Sequence, residues 1–283
     1  MQVQGMPLLS VIILTKNEEN NIEATVKNAL LCADEVLVVD SGSTDRTVEL
    51  AKKSGARVVY RAWDNDFSAQ RNFALSQTEA EWVLYLDADE HLNHELVTAI
   101  KKVMSENVSF VDRSSGVGHN PVSEGKLKQY SIQRKSVAFG KKFNYGVLFP
   151  DWVPRLFPRN NVKWEGKVHE RPKCTLPMEK LSGHIEHFTY KNWQEWEEKL
   201  CRYTTIWAED AYKKGKRTTL PGALLHSVGG VFKMLIVRRG FMDGWMGVCL
   251  SITHFFYTLL KYLKLYELQR KNKKALSYNL KAQ

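Results

Sequence analysis

The 283-residue sequence lacks the short motifs of several common protein classes. Its four cysteines, Cys32, Cys174, Cys201 and Cys249, are far apart and form no C-x-x-C pair, so neither a zinc site nor a disulfide framework is indicated. No G-x-G-x-x-G follows the first apolar run and no G-x-x-x-x-G-K-[ST] occurs, which argues against NAD binding and against a P-loop. Isolated cysteines are typical of a reducing compartment, and we expect a cytoplasmic protein.

The sequence also lacks the features of a signal peptide and a long apolar run. The N-terminal segment MQVQGMPLLSVIIL has no basic region and no cleavage site of small residues. The longest apolar stretch, 245–260, is interrupted by serine, threonine and histidine and is shorter than the ~20 residues of a spanning helix. We therefore expect no cleaved leader and no membrane crossing.

Charge is distributed unevenly along the chain. The formal net charge of +10 comes from residues 191–283, which hold 17 Lys and Arg against 7 Asp and Glu, whereas residues 1–190 hold 24 of each. A basic block of this kind binds either nucleic acid or an anionic membrane surface. No zinc-finger spacing or RNA-recognition signature accompanies it, and its basic residues flank apolar runs, so we predict a membrane surface and no nucleic acid.

Strands and helices alternate over the first part of the chain. Apolar strand patterns at 8–14, 35–40, 57–60 and 82–87 are separated by segments with helical spacing. This order predicts an α/β fold with a doubly wound, Rossmann-like sheet whose ligands lie at the carboxyl ends of the strands. We divide the chain into a nucleotide-binding half at 1–104, an acceptor-binding half at 105–190 with a flexible insertion at 105–129, and a helical region at 191–283.

Acidic loops follow three of the predicted strands. The segments TKNEE, DSGSTD and DADE come directly after strands one, two and four, so Thr15, Asp40, Asp45, Asp87 and Asp89 are expected to meet in one crevice. The spacing by two in DADE suits joint coordination of Mg²⁺ or Mn²⁺ by Asp87 and Asp89. Such a cation would in turn hold a diphosphate.

The order of these motifs resembles glycosyltransferase family 2, the inverting sugar-nucleotide-dependent enzymes with the GT-A fold. The segments that carry the resemblance are VIILTKNEE, VLVVDSGSTDRT, FSAQRNFAL and WVLYLDADE. It implies a UDP-sugar donor and a D-x-D metal site. The implied nucleotide-sugar contacts are Thr15, Asn17, Glu18, Asp40, Gly42, Arg71, Asp87 and Ala88, and the implied metal ligands are Asp87 and Asp89. From the segment GHIEH, His187 is a candidate for a third metal or phosphate contact.

An inverting transfer needs a base that removes the proton of the acceptor hydroxyl. The segment KVHE places His169 and Glu170 side by side, and adjacent residues of a strand point to opposite faces. The resemblance favours Glu170 as the base, and His169 remains the alternative.

The C-terminal third resembles bacterial lipopolysaccharide core β-1,4-glucosyltransferases in its DGWMG segment and the aromatic helix that follows. That resemblance implies transfer of glucose from UDP-glucose to an inner-core heptose or a similar glycan on a lipid. It places the protein peripherally on the cytoplasmic face of the inner membrane, and it leaves the oligomeric state open. Another lipid-linked or a protein acceptor, a nucleotidylyltransferase and an inactive nucleotide-binding scaffold remain the alternatives.

Overall fold

The computed structural model describes residues 7–108, 127–166 and 170–281, and beyond residue 271 it describes the backbone alone. Two compact units share the chain. The N-terminal unit comprises Met1–Arg134 and Asp151–His187, and the C-terminal unit comprises Lys135–Pro150 and Phe188–Gln283. Residues 135–150, which we predicted in the acceptor-binding half, therefore group with the C-terminal helices.

The N-terminal unit is built around a mixed sheet. In spatial order the strands are β3, β2, β1, β4, β8, β6, β11 and β5. Their bounds are β1 Leu9–Thr15, β2 Glu35–Asp40, β3 Arg57–Tyr60, β4 Trp82–Asp87, β5 Glu90–Leu92, β6 Gln129–Ala138, β8 Asp151–Pro158 and β11 Met178–Tyr190. A short β7, Lys141–Lys142, pairs with the end of β6, and β9 (Lys163–Glu165) pairs with β10 (Arg171–Lys173) in a separate ribbon.

Strands β1 to β4 run parallel, which confirms the predicted α/β sheet. Beyond β4 the sheet is mixed: β8 pairs antiparallel with β4 on one side and with β6 on the other, and β5 pairs antiparallel with β11. The helices of this unit are α1 Ile22–Ala29, α2 Thr47–Lys53, α3 Phe67–Ser76 and α4 His94–Val108. The predicted insertion at 105–129 begins inside α4, and its residues 109–126 lie outside the described residues.

Alternation along the parallel strands buries both faces of the sheet. In β1, Val11 and Ile13 pack with residues of α1, α2 and α4, whereas Ile12 packs with Ala74 of α3. A strand covered on both faces needs apolar residues at consecutive positions, which explains the unbroken apolar run read in the sequence. Helices therefore lie on both sides and leave the carboxyl ends of β1, β2 and β4 as an open edge.

The C-terminal unit is helical. Its main helices are α5 Trp193–Lys213, α6 Leu220–Phe232 and α7 Gly244–Lys281, and a π-helical turn, Lys233–Val237, extends α6. A short 3₁₀ turn, Gly240–Asp243, leads into α7. The carboxylate of Asp243 accepts hydrogen bonds from the backbone N–H groups of Asn144 and Tyr145, which fixes the segment 135–150 to this turn.

Two stretches, Leu220–Val237 and Gly240–Lys271, are long and apolar enough to cross a membrane by length and composition. The second corrects the sequence prediction that the longest apolar stretch ends near residue 260. The helix continues without a break through the polar residues of that region, because serine, threonine and histidine do not interrupt helical backbone hydrogen bonding.

Candidate active site

Parallel pairing brings three predicted site residues to one edge of the sheet. Thr15, the last residue of β1, lies opposite Asp40, the last residue of β2. On its other side β1 pairs with β4, where Leu14 lies opposite Asp87. The predicted meeting of the strand ends is therefore present.

Hydrogen bonds join the loops after β1 and β2. The N–H of Asn17 donates to Ser43 Oγ at 2.9 Å, and Asn17 Oδ1 accepts from the N–H of Thr44 at 2.8 Å. The N–H of Glu18 donates to Thr47 Oγ1 at 2.8 Å. Asn17 has a φ of 56°, a left-handed conformation that asparagine tolerates better than most residues. This backbone turn holds the two loops together as one rim.

Asp40 shapes its own loop. Its buried carboxylate accepts hydrogen bonds from the N–H groups of Gly42 and Ser43 at 2.9 and 3.0 Å and from Ser43 Oγ at 2.5 Å. The neighbouring Thr15 Oγ1 is buried and has no hydrogen-bond partner within the described residues. A buried hydroxyl without a partner is costly, so this group is available to a ligand at the strand ends.

Glu18 and Ala88 connect helix α1 with the loops of the site. Glu18 Oε2 accepts from Asn21 Nδ2 at 2.7 Å, at the start of α1. The carbonyl of Ala88 accepts from Thr25 Oγ1 of the same helix at 2.6 Å. Both residues, predicted as nucleotide-sugar contacts, therefore also fix the position of α1 beside the strand ends.

The first carboxylate of DADE is paired with arginine. Asp87 Oδ2 lies 2.9 Å from Arg155 Nη2, and the same nitrogen lies 2.8 Å from Glu90 Oε1. Glu90 is fully buried and also accepts the N–H of Asp87 at 3.0 Å. Burial acts to raise the pKa of Asp87, but Arg155 and Arg71 outweigh it and hold that pKa below its usual range. Asp87 is therefore ionised in the folded protein.

Arg71 of α3 connects Asp87 with the predicted base. Its Nη2 lies 3.4 Å from Asp87 Oδ1, and its Nε lies 3.4 Å from Glu170 Oε1. The guanidinium is 4.6 Å from the ring of Trp164 and 5.3 Å from that of Tyr85, and its Nη1 is buried with no partner among the described residues. Stacking on aromatic rings fixes a planar guanidinium, so Arg71 is held in place with one donor to spare.

Asp89 lies beside His187. Antiparallel pairing of β11 with β5 places His187 opposite Glu90, and His187 Nε2 is 3.4 Å from Asp89 Oδ2. Among the described residues no group of three His, Cys, Asp or Glu side chains is arranged to hold a metal. Asp87, predicted to bind the metal together with Asp89, has its carboxylate between two arginines. The carboxylate and imidazole of Asp89 and His187 fit a divalent cation that takes its other ligands from a diphosphate and water.

The segment RLFPR makes Arg155 a candidate phosphate contact by sequence alone, and no motif predicts a role for Glu90 or Trp164. Arg155 and Glu90 form a buried ion pair across β8 and β5, and Trp164 supports Arg71. The position of Glu90 directly after Asp87-Ala88-Asp89 was the sequence signal that could have identified it. His169, the alternative base, lies outside the described residues, as does the preceding part of KVHE.

The comparison with protein families identifies the chain. Residues 10–170, more than half of the chain, match the family description glycosyl transferase family 2. The chain belongs to glycosyl transferase family 2. The matched residues run from β1 to Glu170 and so include both the D-x-D segment and the predicted base.

Two relatives of similar length are described as glycosyltransferases, and a third, longer protein matches over part of its length. An uncharacterised glycosyltransferase of Rickettsia typhi is 26% identical over 96% of this chain and 91% of its own length. Another uncharacterised glycosyltransferase, of Rickettsia conorii, is 28% identical over 96% of this chain and 95% of its own length. A TPR repeat-containing protein of Synechococcus elongatus is 33% identical over 64% of this chain and 48% of its own length.

Among solved structures, similarity is partial. A glucosyl-3-phosphoglycerate synthase from Mycobacterium tuberculosis, solved with Mn²⁺, UDP and phosphoglyceric acid, is 21% identical with a TM-score of 0.35. The match covers 54% of this chain and 56% of the synthase, so this chain spans about half the length of that enzyme.

Proposed function

We propose that this protein is a metal-dependent inverting hexosyltransferase that moves a sugar, glucose from UDP-glucose, onto a glycan carried by a lipid. The family establishes a glycosyltransferase, and the donor sugar, the acceptor and the roles of individual residues are our proposal. The acceptor we propose is an inner-core heptose of lipopolysaccharide or a similar glycan.

The observation that carries this proposal is the bridge made by Arg71. Through two different nitrogens it contacts Asp87 of the D-x-D segment and Glu170, two carboxylates that are distant in the sequence. An inverting glycosyl transfer needs a base near the acceptor hydroxyl, and a carboxylate close to the nucleotide site can serve as that base. One fixed guanidinium holds both carboxylates at the same site.

In the proposed reaction, Glu170 accepts the proton of the acceptor hydroxyl while that oxygen bonds to the anomeric carbon of the donor sugar. The bond between that carbon and the diphosphate oxygen breaks, and its electron pair leaves with UDP. Configuration at the anomeric carbon is thereby inverted. Arg71 orients Glu170, and its buried Nη1, which no described residue accepts from, is a donor for a diphosphate oxygen.

Asp89 and His187 are the residues we propose to hold the divalent cation. When bound, a divalent cation neutralises the charge that develops on the departing diphosphate. Mg²⁺ usually takes oxygen ligands, so the imidazole favours Mn²⁺. Thr15, Asn17, Asp40 and Gly42 form the rim where we propose that the uridine binds, and the buried hydroxyl of Thr15 would find its partner there.

The acceptor and the location are inferred from the C-terminal region. Its excess of Lys and Arg complements anionic lipid, and its DGWMG segment and aromatic helix resemble enzymes that act on lipopolysaccharide core. We therefore propose a peripheral position on the cytoplasmic face of the inner membrane.

The test is transfer from a panel of UDP-, GDP- and dTDP-sugars to lipopolysaccharide truncated after the inner core. We expect release of UDP that depends on Mn²⁺ and a product heavier by one hexose in mass spectrometry. The expected product bond has the configuration opposite to that of the donor. Transfer from a GDP- or dTDP-sugar alone, or retention of configuration, would contradict the proposal.

A further inference from the structure

The C-terminal helices expose an apolar surface where a soluble protein would expose a polar one. Side chains with high exposure on α6 and its π-helical extension recur every three or four residues, and nearly all are apolar. We call this surface the apolar stripe. It comprises Leu220, Leu224, Leu225, Val228, Phe232, Ile236 and Val237 of α6 and its extension, and Phe241, Trp245, Ile252 and Phe256 from the following turn and α7.

The inward positions of the same helices carry small or polar residues. Ala223 and Ser227 of α6 are fully buried, and Gly230 lies against His254 and Thr258 of α7. Leu225 is 73% exposed and Phe232 is 61% exposed. Packing small residues between helices and turning large apolar ones outward is the arrangement found in lipid, where hydrophobic burial does not drive helix association.

These helices differ from the core helix of a soluble protein, which would also be long and apolar. Only 11% of the stretch Leu220–Val237 and 28% of an apolar 18-residue window within Gly240–Lys271 are buried. An exposed apolar surface of this extent marks an interaction site.

Cations lie at both ends of the part of the stripe on α6 and its extension. Exposed Lys213, Lys214, Lys216 and Arg217 precede α6, and exposed Arg238 and Arg239 follow its extension. Positive charge at both ends complements anionic headgroups on one leaflet, and a helix crossing the bilayer would carry one of these groups to the far side. The charge pattern thus favours helices that lie in the plane of the membrane.

Helix α5 supports the same orientation. It packs against both α6 and α7. Ala208 and Ala211 of α5 share one buried cluster with Ala223 of α6 and with Tyr262 and Leu265 of α7. Acidic and basic residues occur along α5, and a helix of this composition is excluded from the hydrocarbon layer. The pair α6 and α7 therefore packs against the water-facing helix α5 on one side and exposes the apolar stripe on a different side.

From this pattern we infer that the α6–α7 hairpin is a monotopic membrane anchor whose apolar stripe lies among the acyl chains of an anionic leaflet, with the cations at both ends of α6 and its extension on the headgroups. Insertion of the apolar stripe would keep the protein on the membrane, and salt would weaken only the attraction between the cations and the anionic headgroups. The inference concerns the C-terminal unit and is independent of the transfer reaction.

Flotation of the full-length protein with sealed phosphatidylethanolamine–phosphatidylglycerol vesicles tests insertion. We expect the protein to float at 0.1 M NaCl and to remain largely bound at 1 M, where the Debye length is ~3 Å. The double variant Leu225→Glu with Phe232→Glu should lower the bound fraction about tenfold or more, because carboxylates are excluded from hydrocarbon. The matched control, Leu31→Glu with Met178→Glu, changes two exposed apolar residues of the N-terminal unit and should float like wild type.

Circular dichroism and light scattering complete this experiment. If the stripe variant keeps its helix content but floats like wild type, or if wild type does not float, the inference is wrong. If wild type is a dimer that does not float and the variant is a monomer, the stripe is instead an interface between two copies of this chain.

Cysteine labelling separates a flat helix from a crossing one. Lys214→Cys and Arg238→Cys lie at opposite ends of α6 and its extension, and each is exposed. With protein added outside sealed vesicles, an impermeant maleimide–polyethylene glycol should add one adduct to each variant beyond the wild-type number. Protection of either cysteine until detergent is added would contradict an in-plane anchor.

Discussion

The imidazole Nε2 of His187 lies 3.4 Å from Oδ2 of Asp89. The two residues are far apart in the chain and meet because β11 pairs antiparallel with β5. Meanwhile Asp87, two residues before Asp89, is held by Arg155 and Arg71. The two aspartates of the D-x-D segment therefore have different surroundings, and different effects are expected when each is changed.

Asp89→Ala and His187→Ala should each remove the Mn²⁺ dependence of UDP binding, because each deletes one of the two proposed metal ligands. Isothermal titration with UDP, with and without Mn²⁺, measures this. The matched control is His184→Ala on the same strand, whose imidazole lies 3.8 Å from Glu186. Mn²⁺-dependent binding that survives in both Asp89→Ala and His187→Ala would place the metal elsewhere.

Glu170→Gln should reduce kcat by ~10² to 10⁴ while the affinity for UDP is kept, since the amide cannot accept the hydroxyl proton. Steady-state transfer kinetics and UDP titration check the two parts. If His169→Ala shows this pattern and Glu170→Gln does not, the neighbouring residue is the base.

Arg71→Lys should lower kcat although it keeps the charge. A lysine ammonium is a single point of contact and does not reproduce the two donors that reach Asp87 and Glu170 through separate nitrogens. Comparing kcat with the free energy of unfolding separates orientation from stability. A variant with wild-type kcat would show that the bridge is dispensable.

Arg155→Met should destabilise the N-terminal unit by about 3–5 kcal/mol, because it leaves the buried Glu90 without its closest cation. Urea unfolding monitored by fluorescence measures the loss. The control Lys27→Gln breaks a solvent-exposed pair with Glu23, whose attraction water screens, so it should cost far less. Equal effects of the two variants would mean that the buried pair contributes no more than a surface one.

The stability contributed by Asp87 should depend on pH. Its pKa is lower in the folded protein than in the unfolded chain, so its contribution is fully present above the unfolded value of ~3.9. That contribution is lost as the pH falls from there toward the folded pKa. The difference in unfolding free energy between wild type and Asp87→Asn should thus be constant from pH ~7 to ~5 and shrink below pH ~4. If the difference in unfolding free energy instead grows on acidification, the pKa of Asp87 is raised by folding and the prediction is wrong.

The beginning of α7 should be sensitive to a single methyl group. A Cβ added at Gly247 would lie 2.1 Å from the carbonyl oxygen of Gly240, so Gly247→Ala should destabilise the C-terminal unit by about 1–3 kcal/mol. Gly229→Ala is the control, because its added Cβ would have no described atom within 4 Å apart from the neighbouring backbone of its own helix, and alanine favours a helix. Thermal unfolding should show a loss for the first variant and no loss for the second.

Much of the N-terminal unit could be predicted because its signals are local. The predicted strands 35–40, 57–60 and 82–87 match β2, β3 and β4, since runs of apolar residues bounded by turns determine buried parallel strands. The meeting of Thr15, Asp40 and Asp87 followed from the same parallel order. The partners of Asp87 could not be predicted, because Arg155 arrives on an antiparallel strand whose register depends on long-range pairing.

By itself the sequence determined which chemical groups stand at the ends of the parallel strands, because strand direction and loop position follow from residue order. It also determined that the excess positive charge lies in the last third of the chain. Only the tertiary structure decided that Asp87 is paired with arginine while Asp89 lies beside histidine. It alone decided that α6 turns Ala223 inward and Leu225 outward. The physical reason is that ion pairing and burial depend on which distant segments pack together, and the periodicity of a helix reveals its apolar face without revealing whether protein, water or lipid covers it.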